Sequence, residues 1–211
     1  MSRLLFEKTG DSIYISHLDL MRVFQRAFRR AGLLLRHSQG FTPRAIVSIA
    51  LPLSVGVESV CELLDFELEQ GSATAEALNA VLPAGIRVRE VYEGGRKIKE
   101  LTHLRARVTL EYDGEAPEAS TVEALFRGET LVLEKQSKKG TAQVDILPMV
   151  RDLTVARPDG HTLVLEAVIC AQNPSLNPML LAQAVEVYAS KPDFAFARRL
   201  EVLDAQGNVF R

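Results

Sequence analysis

The chain of 211 residues contains only two cysteines, no tryptophan and 6% aromatic residues. Cys61 and Cys170 lie far apart without a CxxC spacing, which excludes a disulfide framework and predicts core residues in a reducing cytoplasm. So few aromatic rings leave little stacking surface, which argues against a binder of single-stranded nucleic acid. No stretch approaches the roughly 20 apolar residues that span a bilayer, so no membrane partner is expected.

Signatures of cofactor binding are missing as well. Neither a GxxxxGK[ST] loop nor a GxGxxG sequence occurs, so no P-loop or dinucleotide site is indicated. The set of His17, Asp19 and His37 has no recognised metal-ligand spacing. We therefore expect no metal and no other cofactor.

Residues 14–32 are the most informative stretch, because they encode a helix with both ends marked. Ser16 is suited to cap the first turn, and Asp19, three residues later, completes a capping box. Gly32 offers the left-handed turn that commonly ends a helix. One face at helical spacing is apolar and is predicted to pack on a core; it comprises Leu20, Phe24, Ala27, Phe28 and Ala31.

The opposite face of this helix is basic. It carries Arg22, Arg26, Arg29 and Arg30, and no acid follows Asp19 on the helix. Residues 19–44 contain six arginines and one acid, which gives this segment a net charge of +5. Because the net charge of the whole chain is −2, the rest of the chain carries a net charge of −7. Such segregation predicts an anionic partner for this segment.

The loop after the helix extends the basic stripe. It combines two arginines with neutral hydrogen-bonding side chains and turn formers: Arg36, Ser38, Gln39, Gly40, Thr42, Pro43 and Arg44. Backbone amides and guanidinium groups in such a turn can hold a phosphate. The alternative interpretation is an ordinary polar loop whose charges only keep the protein in solution. Lys138 and Lys139 form a separate basic tip, which adds to this surface only if the fold brings the two together.

The order of elements predicts an α+β fold. The first half gives strands at 3–8, 45–51, 60–69 and 86–92, helices at 16–32 and 74–82, and a short strand at 12–15. This is the βαββαβ order of a ferredoxin-like domain. Gly94 and Gly95 then mark a linker. We expect two tandem ferredoxin-like sandwiches with antiparallel sheets, residues 1–95 with the basic helix and residues 96–211 with a looser version.

The second half repeats the order with strands at 104–112, 130–136, 143–147 and 162–171. Ser120, with Glu123 three residues later, is expected to cap a helix, and Pro178 to occupy the first turn of another. Strands at 200–203 and 208–210, around Gly207, are expected to close the chain as a hairpin. On the strand at 60–69, Asp65, Glu67 and Glu69 share a face that we expect to lie in solvent.

Two histidines are candidates for acid–base chemistry. His17 falls in the first turn of the basic helix, where a structural hydrogen bond to a neighbouring strand is the favoured interpretation. His37 lies in the loop of residues 36–44. Sequence order supports no catalytic triad with either of them.

Several motifs of the chain occur together: residues 14–22 (YISHLDLMR), 29–31 (RRA), 38–43 (SQGFTP), 52–56 (PLSVG) and, in the second half, 138–140 (KKG) and 144–146 (VDI). In these motifs the chain resembles the bacterial radical-SAM-linked proteins, a domain of unknown function found alone or joined to cobalamin-type radical SAM proteins. Radical SAM chemistry needs an iron–sulfur cluster on three cysteines, and this chain has two. The resemblance therefore implies a companion of such an enzyme.

The first half is also similar in element order to ferredoxin-like RNA-binding domains of CRISPR repeat-processing RNases, in which a histidine near the first helix can be catalytic. From the arginines we expect a non-catalytic, cytoplasmic RNA-binding accessory, for structured RNA such as tRNA or rRNA and not for DNA, working with a radical SAM enzyme. The alternatives are a module that docks on an acidic surface of that enzyme, and a metal-independent endoribonuclease using His17 or His37.

Overall fold

The computed structural model describes residues 1–137 and 140–211. It divides into two compact units, Met1–Glu100 with Val209–Arg211, and Leu101–Asn208. The division falls after residue 100, five residues beyond the expected boundary, and the last three residues group with the first unit. Both units combine antiparallel strands with a few helices, which confirms the α+β class.

The first unit is an antiparallel sheet with two helices. The strands follow the order β4-β1-β3, and the short β2 pairs with β3. Its elements are β1 (Ser2–Lys8), α1 (His17–Arg30), β2 (Val47–Ile49), β3 (Val57–Phe66), α2 (Ala75–Asn79) and β4 (Ile86–Glu93).

The second unit has a four-stranded antiparallel sheet in the order β10-β5-β9-β8 and a separate pair of strands, β6 and β7. Its elements are β5 (His103–Glu111), α3 (Ala119–Leu125), β6 (Val132–Ser137), β7 (Gly140–Asp145), β8 (Val150–Ala156), β9 (Thr162–Cys170), α4 (Met179–Tyr188) and β10 (Phe194–Leu203).

Helix α1 forms as its sequence predicts. The Ser16 hydroxyl oxygen accepts from the amide of Asp19 at 3.2 Å, and the same hydroxyl donates to the Asp19 carboxylate at 2.8 Å. At the other end Gly32 adopts φ +74°, and the amides of Gly32 and Leu33 donate to the carbonyls of Arg29 and Phe28. This is the Schellman arrangement, which satisfies the last carbonyl groups of a helix.

The predicted apolar face of α1 lies on the core of the first unit. Leu20, Phe24 and Phe28 are fully buried. The ring of Phe24 meets that of Phe6 of β1 edge to face, with centroids 4.7 Å apart. Burial of this face leaves the arginine face of the helix outward.

A buried lysine fixes the segment that leads into α1. Lys8, at the end of β1, is fully buried, and its ammonium donates to the carbonyl oxygens of Ile13 at 3.0 Å and Ile15 at 2.7 Å. Residues Gly10–Tyr14 form a 3-10 helix, so the predicted strand at 12–15 is wrong. The ammonium group holds this turn directly ahead of the cap residue Ser16.

Strand β3 is buried on both faces, with Cys61 and Leu63 on one side and Leu64 on the other. The expectation that Asp65 lies in solvent is therefore wrong. Its carboxylate forms a two-pronged ion pair with the buried Arg3, with Nε–Oδ1 at 2.5 Å and Nη2–Oδ2 at 3.0 Å.

Three predictions for the second half need correction. Ser120 lies inside α3, whose N-cap is Glu118, and Pro178 is itself the N-cap of α4. Strand β8 was not predicted. The expected strand at 200–203 is the end of the longer β10. Within the described residues, no helix combines the length and apolar character that crossing a membrane requires.

Candidate functional site

The arginines of α1 stand on its exposed face. Arg22, Arg26, Arg29 and Arg30 are all exposed, as the spacing predicts for positions opposite the buried phenylalanines. Arg36 and Arg44, in the following loop, are exposed as well.

Two of the six arginines are engaged by carboxylates. Arg22 contacts Asp19 at 2.8 Å, and Arg36 contacts Glu67 at 3.3 Å. Both pairs lie at the surface, where such contacts add little to stability and are readily exchanged for another anion. Within the described parts of the chain, no carboxylate lies at ion-pair distance from the remaining four, which are Arg26, Arg29, Arg30 and Arg44.

A groove of about 490 Å³ runs beside α1, and we call it the arginine groove. Arg26, Arg29 and Gln25 of the helix form its polar part. Leucine and alanine side chains from the segment after the helix supply the apolar part, and His37 also lines the groove. The full lining is Gln25, Arg26, Arg29, Leu33, Leu34, Leu35, His37 and Ala45. The size falls within the range of small-ligand pockets, roughly 300–1,000 Å³.

Residues 38–44 form a closed loop beside this groove, which we call the 38–44 loop. The amide of Ser38 donates to the Arg44 carbonyl at 2.8 Å, and the Arg44 amide donates to the Ser38 hydroxyl oxygen at 3.1 Å. His37 and Ala45 bridge directly behind this closure. Every residue from 38 to 44 is exposed, and Phe41 protrudes completely into solvent.

Two further concavities adjoin these residues. One, of about 490 Å³, is lined by Arg36, His37, Ser38, Gln39, Gly40, Pro43, Leu68 and Glu69. The other, of about 340 Å³, is lined by Val23, Arg26, Arg30, Val81, Leu82 and Pro83. Arg26 and His37 each line two concavities, so the three concavities adjoin one another. The predicted arginines and polar residues that line them are Arg26, Arg29, Arg30, Arg36, Ser38 and Gln39.

Several predicted residues stand apart from these concavities. Arg22, Thr42 and Arg44 are exposed but line none of the three. Lys138 and Lys139 lie outside the described residues.

The two candidate histidines are not brought together in one concavity. His37 is exposed between the arginine groove and the 38–44 loop. His17 is half-buried, lines none of the three concavities, and its Nδ1 has no hydrogen-bond partner in the described parts of the chain. The structural hydrogen bond predicted for it is therefore not formed through that nitrogen. No cluster of three metal-ligating side chains occurs within residues 1–137 and 140–211.

The apolar part of this surface was not predicted from the sequence. Leu34 is exposed in the groove, and Phe41 marks the tip of the 38–44 loop. Phe41 lies between Gly40 and Pro43 in the motif of residues 38–43, and these turn formers indicate a loop, which is a surface position for the ring.

Fold and site together define an α+β protein of antiparallel sheets with a basic groove along one helix. Residues 2–178 match the family described as "Uncharacterized protein conserved in bacteria (DUF2344)", and the chain belongs to this family. No curated protein matches the sequence.

Among solved structures, the chain is similar to one in the crystal structure of a Cbf5-Nop10-Gar1 complex, with 10% identity, a TM-score of 0.54 and coverage of 95% of this chain and 48% of that one. A chain of an H/ACA RNP bound to a substrate RNA containing 2′-deoxyuridine matches at 11% identity and TM-score 0.46, over 95% and 47%. A chain of an archaeal box H/ACA sRNP Nop10-Cbf5 complex matches at 12% and 0.45, over 94% and 46%. The chain thus spans about half the length of these matches, and the first shows a likeness of fold alone.

Proposed function

We propose that this protein is a non-catalytic RNA-binding accessory that holds structured RNA, such as tRNA or rRNA, on the arginine groove and the 38–44 loop. The observation that carries the proposal is the placement of Arg26 and Arg29 on a groove, with no carboxylate at ion-pair distance in the described residues. Phosphate contacts from guanidinium groups supply most sequence-independent affinity for nucleic acid.

The groove also suits the rest of a nucleotide. Its apolar lining from Leu33 to Leu35 can receive the face of an unpaired base, while Gln25 and Arg29 supply polar groups to the same groove. Structured RNAs present such bases at bulges and loops. The Phe41 ring at the tip of the loop offers a further stacking surface.

The partner enzyme and the fold type complete the proposal. We propose a radical SAM protein as the partner because of the motif resemblance, and the cytoplasm as the compartment because both cysteines are free.

We further propose that each unit is a ferredoxin-like sandwich. In support, the first and third strands are central in each sheet, β1 and β3 in one and β5 and β9 in the other, once the β6–β7 pair is set aside. An experimental structure with other central strands would contradict it.

The test is a titration of labelled tRNA by fluorescence anisotropy at several salt concentrations. The double variant R26Q/R29Q should bind more weakly, and the slope of log affinity against log salt should fall by roughly 0.7–0.9 for each phosphate that an arginine no longer neutralises. The control R87Q/R127Q removes two exposed arginines that do not line the groove and should behave as wild type. An equal decrease of affinity in both variants, or no binding at low salt, overturns the proposal.

Two further arms separate the alternatives. If RNA is the ligand of the arginine groove, a pull-down from nuclease-treated lysate should recover any protein partner equally with wild type and with R26Q/R29Q. A protein that is retained, and that R26Q/R29Q releases, would instead identify a docking module. Incubation of the protein with RNA in chelator should leave the RNA intact; cleavage that His37→Ala or His17→Ala abolishes would identify an endoribonuclease.

A further inference from the structure

The sheet of the second unit has one open face. Along β5, buried residues alternate with exposed ones, and α4 contacts β5 and β10. The buried set is Ala106, Val108 and Leu110. Because side chains alternate across a strand, His103, Arg105, Arg107, Thr109 and Glu111 point to the opposite side, where His103 is buried and the other four are exposed or half-buried. We call the part of this side from Arg105 to Glu111 the open face.

Two phenylalanines stand on that face. Phe194 and Phe196 of β10 are 60% and 49% exposed, although phenylalanine is usually buried. Being two residues apart, they point the same way at a spacing of about 7 Å. Their cross-strand partners on β5 are Glu111 and Thr109, so all four side chains lie on the open face.

Arginines flank the two rings. Arg198 lies two residues beyond Phe196, directly opposite Arg107, and Arg105 follows on β5. Arg105 and Arg107 are exposed, and the Nε of Arg107 donates to Glu166 of β9 at 2.7 Å. We call the set Phe194, Phe196, Arg198, Arg105, Arg107, Thr109 and Glu111 the phenylalanine face.

We propose that the phenylalanine face binds a segment of single-stranded RNA. Exposed aromatic rings on a sheet stack on unpaired bases, and flanking arginines contact the phosphates between them. Phe194 and Phe196 would each stack on one base, and Arg105 and Arg107 would contact the backbone. The carboxylate of Glu111 repels phosphate but accepts a hydrogen bond from a ribose 2′-hydroxyl, which DNA lacks. This favours RNA over DNA.

Charge complementarity favours this ligand over an apolar protein surface, which would cover the rings but also remove the exposed guanidinium group of Arg105 from water. All residues of the face belong to the second unit, and the inference does not depend on the arginine groove.

The experiment measures binding of a fluorescein-labelled twelve-residue oligouridine, which has no stable secondary structure, by anisotropy. The variant F194L/F196L keeps apolar side chains but removes the rings. We expect its affinity to fall by roughly fivefold to a hundredfold per base stacked. Tyr14→Leu removes an exposed ring of the first unit and should leave the affinity unchanged.

Further variants make the result specific. R105Q leaves the apolar residues intact and should weaken oligouridine binding and reduce its salt dependence. R26Q/R29Q should not change it, which separates this inference from the proposed function. Glu111→Gln should reduce the ratio of the affinities for oligouridine and oligothymidine, because it removes the carboxylate that accepts from the ribose 2′-hydroxyl.

The inference is overturned if wild type does not bind oligouridine, if F194L/F196L binds as wild type does, or if oligothymidine binds equally well. It is also overturned if wild type retains a protein from nuclease-treated lysate, F194L/F196L does not retain that protein, and both bind oligouridine equally.

Discussion

Ser38 and Arg44 hold the two ends of the 38–44 loop together through a pair of reciprocal contacts. One joins backbone to backbone at 2.8 Å, and the other uses the Ser38 hydroxyl oxygen at 3.1 Å. The loop is therefore prearranged before any ligand arrives, and less conformational entropy is lost on binding.

Ser38→Ala removes the hydroxyl contact and keeps the backbone one. Because a hydrogen bond contributes about 0.5–1.5 kcal/mol net, we expect tRNA affinity to fall by roughly twofold to tenfold. Anisotropy titration measures it. Ser48→Ala, an exposed serine of β2, serves as the control. An affinity equal to wild type would show that the hydroxyl does not support the bound form of the loop.

Asp19→Asn should strengthen RNA binding at low salt. The Ser16 hydroxyl and Arg22 hold the pKa of Asp19 below its ordinary value, so its carboxylate is charged at neutral pH and occupies Arg22. The neutral amide releases that guanidinium. Asp11→Asn removes an equal charge from an exposed position and should have a smaller effect. Equal effects of the two variants would mean that only net charge matters.

Asp65→Ala should destabilise the first unit strongly. Its carboxylate pairs with Arg3, whose side chain is 4% exposed, and removal of one partner leaves a buried charge, which costs about 3–5 kcal/mol. Urea unfolding followed by circular dichroism measures the change. The double variant R3M/D65L removes both charges and should recover most of the stability. A double variant no more stable than Asp65→Ala would contradict this account.

His103 should make the second unit less stable in acid. Burial, and then the charge of Arg151, lower the pKa of His103 below its ordinary 6.5. The unfolded state therefore binds a proton more readily than the folded one, and stability decreases as the pH falls through 6.5 and below. The melting temperature between pH 7.5 and 5.5 measures this. His103→Gln should flatten the dependence; an unchanged slope would assign it to other groups.

Helix α1 was predictable from sequence because its determinants are local. Ser16, Asp19 and Gly32 lie within a turn of its ends, and the spacing of Leu20 and Phe24 fixes its buried face. The exposed arginines follow from the same periodicity, since a helix with one buried face must present the other.

Other features depend on distant parts of the chain. The partner of Asp65 is 62 residues away, so alternation along β3 predicted a solvated acid where a buried ion pair exists. The low aromatic content argued against a binder of single-stranded nucleic acid, but composition does not say which rings remain exposed, as those of Phe194 and Phe196 do. Strand β8 was missed because its charges and the irregular Asp152, at φ +48°, interrupt the alternation.

The enclosed ammonium of Lys8 has a consequence for chemical labelling. A reagent that acylates amines reacts only with nitrogen atoms it can reach, and the Lys8 side chain is fully shielded while it bonds Ile13 and Ile15. Its acylation thus requires opening of the turn ahead of α1. Mass spectrometry of this one residue would measure how often that turn opens, independently of events in the second unit.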